Sequence, residues 1–193
     1  MNSPMSEVLL LHSTASVIDD TTRLLPESSS PSFLPDPFEV GRQISELGGL
    51  ITSMGDEYLL RVDVSPPQEH TARTAEAFAH AVGNVAEAAS ALGTVSQQLA
   101  FFARTAGLHG EPGYAEVRSL ITQTIDSAVG RARISLTQAA QGLRTAASTI
   151  SPPSVRLQQA TLARSPAAPT AGPSPASAAA SAPPTQRAPS LTR

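Results

Sequence analysis

The sequence lacks cysteine, lysine and tryptophan, and these absences remove many of the side chains used in catalysis. Without cysteine the chain has no disulfide framework, no thiolate nucleophile and no cysteine-bound zinc. Without lysine it cannot form a Schiff base, and its 13 basic residues are all arginine. Charged residues make up 15% of the chain, against roughly 25% in an average soluble domain. We therefore expect a protein that is not an enzyme and that uses no cofactor or metal.

Long apolar runs are also missing. The most apolar run, Val8-Leu9-Leu10-Leu11, is far shorter than the roughly 20 residues of a membrane-spanning helix. The segment before it carries Glu7 and no arginine, whereas a signal peptide begins with positive charge. The sequence therefore predicts no membrane span and a cytoplasmic location, with the nucleus as the alternative.

Four segments show the apolar periodicity of helices with a heptad-like seam. Two shorter ones run from about Pro4 to Leu25 and from about Pro37 to Val62. The seam of the first is Val8, Leu11, Ala15, Ile18, Thr22 and Leu25, and that of the second, spaced alternately by 4 and 3, is Val40, Ile44, Leu47, Ile51, Met54 and Tyr58. Two longer ones run from about Pro66 to Ala106 and from about Pro112 to Ile150. At 1.5 Å per residue, each of the longer helices would measure roughly 55 to 60 Å. The connection between them is short, so we expect them to form an antiparallel hairpin.

Prolines and capping residues mark the predicted helix starts. Asp36-Pro37-Phe38-Glu39 places an acid at the N-cap, a proline at the first helical position and a glutamate at the third. Ser65-Pro66-Pro67-Gln68 repeats the pattern with serine and glutamine, and Ser3-Pro4 is a shorter version of it. Glu111-Pro112 precedes the fourth segment, and Gly107 is predicted to end the third.

Low-complexity segments separate or follow these helices. The stretch from Pro26 to Pro37 is rich in serine and proline, which is typical of a linker. From Ser165 onward the chain is almost wholly alanine, proline, serine and threonine, a composition that buries too little apolar surface to offset the entropy of ordering. The predicted fold class is all-α, a long antiparallel, coiled-coil-like hairpin with two shorter helices and a disordered Ala/Pro/Ser-rich C-terminal tail. Its parts are an N-terminal helix over 1–25, a linker over 26–37, a second helix over 37–63, the hairpin over 65–150 and the tail over 151–193.

Alanine occupies many seam positions of the predicted hairpin. Alanine buries less apolar area than leucine. A seam position with alanine in place of leucine therefore lacks on the order of 2 kcal/mol or more of stabilisation. We therefore expect the hairpin to be covered either by the two shorter helices or by helices of a partner. The candidate partner-interface residues are the large apolar side chains of both seams: Phe78, Val82, Val85, Leu92, Leu99, Val117, Ile121, Ile125, Leu136 and Leu143.

Charge is distributed unevenly along the chain. Residues 1–113 contain 14 acidic residues and 5 arginines, whereas residues 114–193 contain 2 acidic residues and 8 arginines. This asymmetry favours pairing inside an antiparallel bundle, where each exposed pair contributes about 0 to 1 kcal/mol. The alternative is a basic strip on the fourth helix that faces an acidic partner. Its members are Arg118, Arg131, Arg133 and Arg144. Four arginines without interleaved aromatic residues are too sparse to predict a nucleic-acid site.

The four histidines show no metal-binding pattern. None belongs to a Glu-x-x-His motif of the kind that di-iron bundles use. Glu76 and His80 lie one turn apart, which is typical of an exposed pair, and His109 is predicted to lie solvated in the hairpin loop. Serine-proline pairs begin at 151, 165 and 174, where phosphorylation would add negative charge to a basic tail.

At the level of the fold, the predicted architecture resembles the small helical subunits of heteromeric coiled-coil assemblies. We expect a non-enzymatic scaffold or adaptor subunit that contributes its seams to a larger bundle, as a homo- or hetero-oligomer with other helical or coiled-coil proteins. One alternative is a structural protein of a particle or secretion apparatus. The other is a helical bundle that binds a small apolar ligand in a cavity lined by Phe78, Leu99 and Phe102.

Overall fold

The computed structural model describes residues 3–26, 34–63, 66, 68–105, 107 and 113–150. Four helices account for most of these residues: α1 (Pro4–Arg23), α2 (Pro37–Val62), α3 (Glu69–Thr105) and α4 (Tyr114–Ile150). No strand occurs within those ranges, which confirms the all-α prediction. The predicted disordered tail, the serine-proline pairs, His109 and most of the predicted linker lie outside the described residues.

The helices form an antiparallel bundle in which α3 and α4 make the predicted hairpin, α1 packs along α4, and α2 packs along α3. Glu7 in the second turn of α1 contacts Arg61 in the last turn of α2. Pro26, just past the end of α1, contacts Arg133 of α4. Arg61 also lies over Phe78 in the first half of α3, and Arg118 near the start of α4 lies over Phe102 near the end of α3. Each helix therefore runs antiparallel to its sequence neighbour. Because α1 and α2 rarely approach each other along their backbones, their contact depends on side chains.

Two helix starts have the predicted caps. Asp36 accepts a hydrogen bond from the backbone N–H of Phe38 at 3.0 Å, and Pro37 is the first residue of α2. Ser3 accepts one from the N–H of Ser6 at 3.3 Å, with Pro4 as the first residue of α1. Such side chains satisfy backbone donors that have no partner within the helix.

The two long helices begin later than the proline signals indicate. α3 begins at Glu69 and not at Pro66, and α4 begins at Tyr114 and not at Pro112. The cause at α4 is Gly113, whose φ of +89° is outside the helical region. Its carbonyl nevertheless accepts a hydrogen bond from the N–H of Val117 at 3.1 Å, so Gly113 occupies the capping position.

The core contains most positions of the predicted seams and, on the hairpin, a second row of small residues. The seams of α1 and α2 bury residues such as Leu11, Ile18, Leu47 and Met54. α3 and α4 bury a wider face because each of them contacts two helices. The additional buried residues are Ala75, Ala81, Ala88, Ala91 and Val95 on α3, and Val129, Ala140 and Ala147 on α4.

Replacing glycine with alanine is expected to raise the free energy of unfolding within α2 and to lower it at the start of α4. A β-carbon added at Gly48 or Gly49 of α2 meets no other atom within 4 Å, so we expect Gly48→Ala and Gly49→Ala each to raise the free energy of unfolding by about 0.5–1 kcal/mol through helix propensity. Gly113→Ala should lower it by about 1–2 kcal/mol, because alanine is strained at positive φ. Urea unfolding of the three variants checks both signs, and a destabilising change at both α2 positions would contradict a continuous helix there.

Candidate functional site

Most of the predicted partner-interface residues lie in the core of the single chain. Eight of the ten are no more than 5% exposed: Phe78, Val85, Leu92, Leu99, Ile121, Ile125, Leu136 and Leu143. Their role in partner contacts stays a prediction, and a partner would reach them only if α1 or α2 moved away. Val82 is half-buried, whereas Val117 is 42% exposed. Val117 is therefore the candidate that the folded chain presents directly.

The position of Val117 follows from the unequal lengths of the helices. α1 has 20 residues and α4 has 37, which correspond to lengths of about 30 Å and 55 Å. Asp19 pairs with Arg144, and the carbonyl of Pro26 accepts a hydrogen bond from Arg133 at 3.2 Å. These contacts place α1 along the C-terminal half of α4. The first turns of α4 and the last turns of α3 therefore extend past α1.

Three large apolar side chains are exposed on this projecting end of the hairpin. They are Phe101 at 38%, Val117 at 42% and Leu120 at 64% exposure, and we call them the tip surface. Sequence reasoning missed Phe101 and Leu120 because neither lies on a predicted seam. Exposed apolar side chains are common singly, but here they share the end of the bundle where α1 no longer covers α4.

Two arginines stand beside the tip surface, each over an aromatic ring. The guanidinium carbon of Arg104 lies 5.9 Å from the ring centroid of Phe101, and that of Arg118 lies 5.5 Å from the centroid of Phe102. Such cation–π contacts hold the guanidinium groups near the apolar surface. Aromatic residues and arginine are enriched in protein interfaces. The arrangement can therefore accept apolar side chains together with a carboxylate beside the exposed Arg104.

A buried ion pair joins three helices at the opposite end of the bundle. Arg61 Nε lies 2.8 Å from Glu7 Oε2, and the two side chains are 4% and 1% exposed. Arg61 Nη1 also lies 2.5 Å from Glu57 Oε2, and the guanidinium carbon lies 5.2 Å from the ring centroid of Phe78. A second polar contact links α1 and α2 at the other end of α1, where buried Gln43 donates to the carbonyl of Leu24.

Sequence reasoning missed this ion pair, although the sequence contains one signal for it. The predicted α2 seam ends at Tyr58, and its alternating spacing of 4 and 3 places the next seam position at Arg61. A charged residue in register with an apolar seam is expected to be buried and therefore paired. The partner, Glu7, could not be found in this way, because its neighbour Val8 lies on the α1 seam.

The four arginines of the predicted basic strip have different surroundings. Arg144 pairs with Asp19 of α1, which is the intrachain charge pairing that the sequence favours. Arg133 donates to Pro26, Arg118 lies over Phe102, and Arg131 is exposed. Contacts within the chain therefore engage much of the strip.

An open groove of about 530 Å³ runs between α3 and α4. Small residues such as Ala139 and Gly142 form much of its wall, and Glu76 and His80 stand at its edge. His80 Nε2 lies 3.9 Å from Glu76 Oε1, with side chains 78% and 73% exposed, as expected for an exposed pair. Across the described ranges, no three histidine, aspartate or glutamate side chains are grouped so that they could hold a metal ion.

The three residues predicted to line a ligand cavity do not enclose a common space. Phe78 and Phe102 are 24 positions apart on the same helix, a distance of about 36 Å. Phe78 and Leu99 are core residues, and Phe102 is half-buried beneath Arg118. None of the helices in the part of the chain that the structure covers combines the length and apolar character required to cross a bilayer.

Comparison of the chain with models of protein families, with curated proteins and with solved structures finds no match in any of the three.

Proposed function

We propose that this protein is a non-enzymatic scaffold or adaptor subunit of a hetero-oligomeric helical complex, and that the tip surface docks its partner. The observation that carries the proposal is the position of Phe101, Val117 and Leu120, which stay exposed where α3 and α4 extend past α1. A partner helix seated there would continue the bundle over the length that α1 leaves uncovered.

The residues around the tip surface define the chemistry of the partner. Covering a leucine or a phenylalanine fully contributes about 1.5–3 kcal/mol, so the partner should present an apolar seam. The exposed Arg104 calls for a carboxylate beside that seam, since charge-assisted hydrogen bonds to a guanidinium are short and directional. We therefore propose an amphipathic helix with acidic flanks, of the kind found in coiled-coil proteins.

The buried polar groups of the bundle support a scaffold over a catalyst. Glu7, Arg61 and Gln43 contact other helices of the chain, so they join elements instead of converging on a cleft. For the location we propose the cytoplasm, with the nucleus as the alternative, because a cysteine-free sequence agrees with a reducing compartment.

A matched pair of substitutions on α4 tests the proposal. Leu120 and Ile134 are 64% and 59% exposed, but only Leu120 belongs to the tip surface. We expect Leu120→Glu in the full chain to weaken the complex with a co-purified partner at least tenfold, or about 1.4 kcal/mol. Ile134→Glu should leave the affinity unchanged. Titration of the purified partner against each variant measures both.

Three outcomes would contradict the proposal. Equal losses of affinity for the two variants would show that the interface does not lie at the tip surface. A purified chain that retains no partner would contradict the adaptor role. Regular high-order oligomers of the chain alone, seen by light scattering, would favour the alternative of a structural protein.

A further inference from the structure

The last turn of α2 carries an apolar surface that the rest of the bundle leaves open. Leu59, Leu60 and Val62 are 62%, 65% and 58% exposed, and we call these three residues the α2-end patch. Two exposed carboxylates, Asp56 and Asp63, lie beside it. The outer face of a surface helix is normally polar, so three large apolar residues within four positions require an explanation.

The end of α4 lies at the same end of the bundle as this patch. Ile150, the last residue of α4, shares a concavity of about 320 Å³ with Pro4 at the start of α1 and with Glu69 at the start of α3. Glu69 follows the end of α2 by seven positions, and Glu7 of α1 contacts Arg61 of α2. The chain therefore leaves α4 at the same end of the bundle as the α2-end patch.

The sequence after Ile150 has the composition that the patch requires. Residues 155–164 read VRLQQATLAR, with three large apolar residues and two arginines, and residues 151–193 contain no acidic residue. Beyond Leu162, the sequence up to residue 193 has one further large apolar residue, Leu191. The intervening residues 151–154 span up to about 14 Å when extended, and the pair Pro152-Pro153 does not favour continuation of the helix.

We propose that the α2-end patch is the docking surface of the chain's own segment 155–164. Val155, Leu157 and Leu162 cover the patch, and the arginines of the segment face Asp56 and Asp63. Attachment to the same chain raises the local concentration of the segment at this end of the bundle. The tethered segment therefore occupies the patch ahead of a second copy or another protein.

Spin labels test this contact in the full chain, and the absence of cysteine makes the labelling specific. With a nitroxide on Gln158→Cys, we expect the methyl signals of Leu59, Leu60 and Val62 to lose most of their intensity. A nitroxide on Ser177→Cys, outside the segment, should leave those signals largely intact. The comparison separates a local contact from general proximity of the tail.

Two further substitutions show whether the patch itself holds the segment. Leu60→Asn in the chain labelled at 158 should restore the signals of Leu59 and Val62, and raised salt should restore them partly by screening the arginines. Leu24→Asn, at a residue that is 56% exposed at the other end of α1, should leave the signal loss unchanged. Circular dichroism of both variants verifies that the helices are retained.

Two results would overturn the proposal. Equal effects of the labels at 158 and 177 would show that the segment has no preferred contact with the patch. Signal loss in an isotope-labelled chain mixed with a separately spin-labelled chain would assign the contact to a second copy.

Discussion

Replacing Phe78 with alanine is expected to lower the free energy of unfolding by about 3–5 kcal/mol. Phe78 is fully buried and is the largest of the fully buried side chains. Its ring also faces the guanidinium of Arg61 at 5.2 Å. Truncation therefore opens a cavity and removes the aromatic face beside a buried cation. Urea unfolding of the full chain, followed by circular dichroism, measures the loss.

The matched control is Phe38→Ala on α2, because Phe38 is 75% exposed. We expect a change within about 0.5 kcal/mol there. If Phe78→Ala unfolds the chain, Phe78→Leu keeps a large apolar side chain at the site, and its loss of about 1.5 kcal/mol or less stays measurable. Equal effects of alanine at positions 38 and 78 would show that the core does not lie where the structure places it.

The periodicity of the sequence predicts the cores of the two shorter helices well. Leu11 and Ile18 on α1, like Leu47 and Met54 on α2, lie on the predicted seams and are buried. This works because large apolar residues at heptad spacing can share only one face of a helix. An amphipathic helix with one apolar stripe therefore shows in its sequence which side faces the bundle.

The buried faces of the long helices are harder to predict because alanine occurs in a helix for two different reasons. Alanine is the best helix former and is also small enough for a close helix contact, so it occurs on both faces of α3. Ala88 is fully buried, whereas Ala86 is exposed. The pattern of large residues finds Phe78 and Leu92, but it does not find the second row that contacts another neighbour.

The exposure of the tip surface depends on the register of α1 against α4, and the periodicity of the sequence does not predict that register. Val117 lies on a predicted seam, yet its exposure follows from how far α1 extends along α4. That register is set by contacts between distant parts of the chain, namely Asp19 with Arg144 and Pro26 with Arg133. Seam patterns in each helix are compatible with several such registers, since a shift by one heptad preserves them.

Replacing one member of the buried pair is expected to be nearly as damaging as the loss of Phe78. Arg61→Met leaves the Glu7 carboxylate, 1% exposed, without its guanidinium partner. We expect a loss of about 3 kcal/mol or more, since the breaking of a buried pair takes the opposite charge away from the group that stays buried. The loss of unfolding free energy for Glu7→Leu should be smaller than for Arg61→Met and close to about 3 kcal/mol, because Glu57 still contacts Arg61 at 2.5 Å. Urea unfolding of both variants checks these values.

The double variant Glu7→Leu/Arg61→Met distinguishes the ion pair from ordinary packing. Two apolar side chains of similar size need no charge partner, so the double variant should recover to within about 1 kcal/mol of the parent chain. The control cycle, Asp19→Leu with Arg144→Met, concerns a pair whose side chains are 33% and 40% exposed, and its coupling should not exceed about 1 kcal/mol. Equal coupling in the two cycles would contradict the burial of the Glu7–Arg61 pair. Recovery in the first cycle would show that apolar contact alone can hold α1 against α2, so the ion pair would then matter for the register of the two helices.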